Sequence, residues 1–165
     1  MTLNWEISSN LSNVSTYEFD INWETVYGSF ELRIDECSLG FVMDRSLSPD
    51  EDYFDILYKI ESLLKALVNA QNNKKTIIPL LTLCLTEINI RKKGAYIIVC
   101  YQYHKGNKKI WEKKIDYSDF FSCIINSVDK LISQIGEMNP DLLLTKRITK
   151  LNALKEVAVS KNNPL

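Results

Sequence analysis

The chain predicts an α+β fold: a two-layer sandwich, with a mostly antiparallel sheet of about six strands, two helices on one of its faces, and a further helix at the C-terminal end. Three observations predict it. Several short segments alternate apolar and polar side chains with a period of two, as half-buried strands do. Residues 52–68 and 116–132 instead space their apolar side chains at helical intervals. These two segments also resemble each other. Aligned without gaps, 64 positions apart, they share Asp52/Asp116, Tyr53/Tyr117, Asp55/Asp119, Ile60/Ile124 and Leu67/Leu131. Apolar residues also face each other at Ile56/Phe120, Leu57/Phe121, Leu64/Val128 and Val68/Ile132. The implied organisation is a pseudo-duplicated βββα-βββα, with halves over about 17–73 and 77–136, inside one domain spanning 1–165.

Taken in order, residues 1–16 are rich in Ser and Asn and suggest a short strand or loosely held arm around Trp5 and Ile7. Residues 17–23 alternate Tyr17, Phe19, Ile21 and Trp23 against Glu18, Asp20 and Asn22, which predicts a strand. Residues 30–35 alternate in the same way, and 39–43 add a third short strand. Ser48, Pro49 and Glu51 form a capping box with proline at the first helical position, so a helix is expected over 52–68. Its acids fall in the first turns, where the helix dipole favours them, and explain themselves without a metal. In the second half, 82–91 and 95–104 are expected strands joined by a turn at 92–94, and 109–115 returns as an edge strand guarded by lysines. Asp116 is expected to cap the second helix and Gly136 to stop it. Asn139, Pro140 and Asp141 start the last helix, about 140–159, with Leu144, Ile148, Leu151 and Leu154 as its apolar stripe; the final residues 160–165 suggest a disordered tail.

Composition narrows the class. A chain of 165 residues, 45% apolar and 25% charged, can bury its own core. No apolar run approaches the roughly 18 residues of a membrane span, and 1–10 carry no secretory signal pattern. Cys37, Cys84, Cys100 and Cys123 are scattered, which suits reduced thiols in a cytoplasmic protein. The charge is uneven: residues 1–90 hold 14 acids and 6 bases, residues 91–165 hold 7 acids and 14 bases. Such halves either neutralise each other on folding or present opposite surfaces to partners.

No constellation for chemistry stands out. His104 is the one histidine and precedes a lysine-rich turn, and there is no phosphate loop or nucleophile elbow. Neither a catalytic residue, a metal nor a cofactor is expected. Two surfaces remain. Glu18, Asp20, Glu24, Glu31, Asp35 and Glu36 with Trp23 and Tyr27 make an acidic, aromatic patch suited to docking a basic protein. Lys93, Lys105, Lys108 and Lys109 with Trp111, in the hairpins over 91–114, interleave cations with aromatics as single-strand binders do. The leading expectation is a non-enzymatic binding protein, by class analogy an immunity-type inhibitor that neutralises a cognate toxin or nuclease through the acidic patch. The alternatives are a nucleic-acid-associated protein using 91–114, and a homodimer assembled through 140–159.

Overall fold

The computed structural model describes residues 1–21, 26–41, 54–80, 86–103 and 108–162. In chain order it runs β1 (Thr2–Ile7), α1 (Thr16–Ile21), β2 (Tyr27–Ile34), β3 (Cys37–Phe41), β4 (Phe54–Asp55), α2 (Ile56–Gln71), β5 (Thr76–Leu80), β6 (Thr86–Lys93), β7 (Tyr96–Tyr103), β8 (Lys109–Asp116), α3 (Tyr117–Met138), a 3-10 helix (Pro140–Leu144) and α4 (Lys146–Asn162). The α+β class holds. The single six-stranded sheet does not: the strands form two antiparallel sheets.

In the first sheet β2 is central, with β1 on one side and β3 on the other. β4 continues the lane of β3. Phe41 stands opposite Phe30, so an unbroken lane would bring residue 43 opposite Gly28; Phe54 stands there instead, eleven positions on. The second sheet is a meander in the order β5-β6-β7-β8. Its edges explain why the sheets do not merge. Pro79 in β5 lacks a ladder donor. On the other edge Lys113 of β8 reaches the first sheet through its side chain, pairing with Glu36 and Asp35 in the β2–β3 turn. The sheets therefore meet across an ion-pair contact and a shared core rather than a backbone ladder.

The helices build that core. α2 and α3 pack on one another, and each touches strands of both sheets; α4 lies against α2. In keeping with this central position, α2 is buried nearly all round, from Ile56 and Leu57 through Ile60, Leu63, Leu64 and Leu67 to Ala70. Of the pairs aligned in the repeat, Ile56/Phe120, Ile60/Ile124, Leu64/Val128 and Leu67/Leu131 are all buried. One hydrophobic cluster takes in both sheets and the helices.

Four local expectations need correction. Residues 17–21 are helical, not a strand. Ser15 and Glu18 form a capping box, the Ser15 N–H and Oγ–H donating to the Glu18 carboxylate at 2.9 and 2.7 Å and the Glu18 N–H to Ser15 Oγ at 3.2 Å. This box, with Phe19 buried, overrides the alternating pattern. α2 begins at Ile56, and its cap is Asp55, whose carboxylate accepts from the Tyr58 N–H at 3.0 Å. The expected box at Ser48, Pro49 and Glu51 lies outside the described residues. Gly136 does not stop α3, which runs to Met138. It is a packing glycine, since an added Cβ would lie 3.0 Å from the Leu143 side chain. Residues 160–162 continue α4, and 163–165 lie outside the described residues.

The two aligned segments share a local joint, at an offset other than that of the gapless alignment. In both halves a strand tyrosine faces an aspartate that precedes a helix: Tyr27 opposite Asp55, Tyr96 opposite Asp116. In both, the first helical N–H donates to the carbonyl just before that tyrosine, Ile56 to Val26 and Tyr117 to Ala95, each at 2.9 Å. The equivalent caps are therefore Asp55 and Asp116, 61 positions apart, three fewer than the gapless alignment gives. A three-residue shift turns a helix by only about 60°, so the apolar stripe fits either offset.

Candidate protein interface

The acidic residues singled out in the sequence do not share one surface; most are engaged within the chain. Glu18 closes the α1 capping box. Asp20 caps α4 from a distance, its two carboxylate oxygens accepting from the Lys146 and Arg147 N–H groups at 2.9 and 3.1 Å. Glu31 is buried on the outer side of β2, holding the Arg33 guanidinium at 2.9 Å and the Asn4 amide at 3.2 Å. Asp35 and Glu36 bind Lys113. The Lys113 ammonium and its hydrogen bond hold the Glu36 carboxyl below the usual range. Part of the charge asymmetry between the halves is thus neutralised internally. Tyr27 is exposed at the start of β2, and Trp23 and Glu24 lie outside the described residues.

The basic hairpins separate differently. Lys93, Lys108 and Lys109 are exposed, while Lys105 lies outside the described residues. Trp111 is half-buried on the core side of β8 and stacks at a tilt on Tyr101, ring centroids 5.7 Å apart. Period-two geometry puts it on the opposite face from Glu112, so the ring is not laid open beside the cations.

The stripe of the last helix is spent inside the chain. Ile148 and Leu151 are buried, Leu154 packs on the core, and the Gln71 amide donates to the Ala158 carbonyl at 2.8 Å. Leu144, the residue expected to open that stripe, points to solvent instead.

What the fold does assemble is an apolar corner. Asp20 ties α1 to the start of α4, and α1 packs against the 3-10 helix. Phe19 turns inward beneath the Arg147 guanidinium, 5.1 Å from its ring centre. On the other side of α1, Tyr17 and Ile21 lie one turn apart and are 67% and 55% exposed; Leu144 on the adjoining 3-10 helix is 83% exposed. Glu18 and Asp141 flank them as exposed acids, with Lys146 as an exposed base. The cap of α2 lies at the same end of the molecule, since Arg147 acts on Asp55, and it adds the exposed Tyr58. Behind it Lys59 is buried. Burial pulls its ammonium down to about 8, and Asp55 offsets part of that. Burial likewise raises the Asp55 carboxyl, against the pull of the Tyr58 N–H, Arg147 and Lys59.

The sequence offered signals for part of this. The Ser15–Glu18 box identifies α1 and with it the i,i+4 pair Tyr17/Ile21. Leu144 carried no signal, because its exposure follows from the 3-10 turn that precedes α4. Among the described residues no group of three or more His, Cys, Asp or Glu side chains is placed to hold a metal, and no helix is long and apolar enough to cross a membrane. Comparison with protein-family models, with curated proteins and with solved structures gives no match.

Proposed function

We propose that this chain is a protein-binding module that acts by covering a partner, in the manner of an immunity-type inhibitor of a toxin or nuclease. The observation that carries this reading is the corner at α1 and the 3-10 helix, two elements in contact that expose Tyr17, Ile21 and Leu144. Large apolar side chains on a rigid, capped frame are the anchors of protein interfaces, and flanking charges steer the encounter. The anchoring surface is this corner rather than the dispersed acids of the sheet. Glu18 and Asp141 keep the preference for a basic partner.

The test is co-expression with the product of the adjacent gene, followed by co-purification at low and high salt. The expected outcome is a complex that survives both. Leu144→Asp should weaken it at least tenfold, with the fold intact by circular dichroism. Failure to form a complex at either salt would remove the proposal.

A further inference from the structure

The face of the second sheet turned away from α2 holds a pocket that the docking corner does not explain. On β6 and β7 the inward residues Ile88, Ile90, Ile97 and Val99 are core. Their outward neighbours include polar groups that are also buried, Glu87, Asn89 and Cys100, with Gln102 and the apolar Ile98 half-buried. The polar groups form a connected floor. The Glu87 carboxylate accepts the Asn89 amide at 3.0 Å and the Gln102 amide at 2.8 Å, and the Cys100 thiol donates to Gln102 Oε1 at 3.4 Å. Burial pushes the thiol's pKa up, which keeps it a donor.

One atom of that floor is unanswered. Asn89 is 6% exposed, and its Oδ1 has no hydrogen-bond partner. Its orientation is fixed, because turning the amide would bring Oδ1 against the Glu87 carboxylate. A buried acceptor left without a donor is destabilising, so a donor belongs there. Above the floor is a cleft of about 290 Å³ walled by Lys75, Arg91, Lys109 and Glu112. Lys109 and Glu112 answer each other at 2.9 Å. Arg91 and Lys75 make no hydrogen bond or ion pair among the described residues. The cleft therefore offers a bare acceptor beside a carboxylate at one position and two unanswered cations at another. Asn89 and Arg91 are two residues apart on β6, about 6.6 Å along the strand. Glu112 lies in the same cross-strand row as Asn89, with Cys100 between them.

We infer that this cleft binds a small zwitterion of the α-amino acid class. Its ammonium donates to Asn89 Oδ1 and is faced by Glu112, and its carboxylate is held by Arg91 and Lys75. An ammonium and a carboxylate on one carbon, with a hydrogen bond at each end, span the roughly 6.6 Å between those positions on β6. A plain anion would leave Asn89 empty, and a plain cation would meet Arg91.

The test is a titration of the isotope-labelled full chain with each of the twenty common α-amino acids, followed by backbone and side-chain amide resonances. N-acetylglycine, which lacks the ammonium, and glycinamide, which lacks the carboxylate, serve as controls. At least one amino acid should give saturable shifts centred on the Asn89 and Gln102 side-chain amides. Both controls should bind at least tenfold more weakly. Arg91→Gln, a change at an exposed side chain, should weaken binding tenfold and leave the spectrum otherwise intact. No saturable shift with any amino acid up to 50 mM, equal binding of N-acetylglycine, or an unchanged affinity in Arg91→Gln would each overturn the assignment. The corner bearing Leu144 takes no part in this readout, so the two proposals fail separately.

Discussion

The joints where β4 enters α2 and β8 enters α3 share a backbone plan and differ in what they bury. Each sets an aspartate opposite a strand tyrosine and ties the first helical N–H to the carbonyl before that tyrosine. At the first joint the Asp55 side chain caps the helix, and one turn on, Lys59 is buried. At the second, Asp116 makes no side-chain cap bond, and the position equivalent to Lys59 is the buried Phe120. The difference follows from placement. α2 is enclosed by both sheets, α3 and α4, whereas α3 keeps an exposed flank along Ser118, Ser122, Asn126 and Asp129. Helix-start N–H groups are satisfied by a side chain at the first joint and are left without a side-chain cap at the second. One connection can therefore serve two environments, provided that the side chains around it change.

Truncating the core separates the two helices most strongly. Leu64→Ala in α2 should cost roughly 3–4 kcal/mol and Val128→Ala in α3 about 2 kcal/mol, read as shifts in urea midpoint at constant slope. Both side chains are fully buried, so the larger loss follows the larger volume removed, and equal losses would break that expectation. Next is the lysine. Because Lys59 falls from 10.5 unfolded to about 8 folded, the folded state binds fewer protons between those values. Stability should therefore rise with pH through that window, by roughly 3 kcal/mol at most. Lys59→Met, which makes the first joint resemble the second, should flatten this rise and raise the midpoint at pH 7. A wild-type curve flat from pH 8 to 10 would refute the point. Smallest are the caps: Asp55→Ala should cost about 1–2 kcal/mol and Asp116→Ala under about 0.5 kcal/mol, both by thermal melting at pH 7.

Helical periodicity was legible because α2 and α3 bury stripes that either offset reproduces. The lysine-guarded strand at 109–115 was legible as an edge, since β8 is one. What failed depended on contacts across the chain. Alternation at 17–21 looked like a strand, but in the helix Phe19 turns inward while Tyr17 and Ile21 stand exposed on the other side. The Ser15–Glu18 box was the deciding local signal. The split into two sheets turned on Thr2–Ile7, whose place beside β2 rests on pairing with residues 28–33. The pocket on the second sheet was half visible: Glu87, Asn89 and Arg91 alternate on β6, and Cys100 and Gln102 on β7, a period-two polar row inside apolar strands. Its burial could not be read, because it depends on the walls.

The capping of α4 by Asp20 sets an order of events. Residues 20 and 146 are 126 positions apart. The same pairing of early and late chain recurs where the Asn139 amide holds the Leu11 and Val14 carbonyls and where the Trp5 indole meets Gln134. During synthesis at roughly 5–20 residues per second, the first twenty residues would wait several seconds for the partners that satisfy them. The stretch that bears Tyr17 and Ile21 is thus secured long after it is made, and the apolar corner exists only once residues 139–147 have been added.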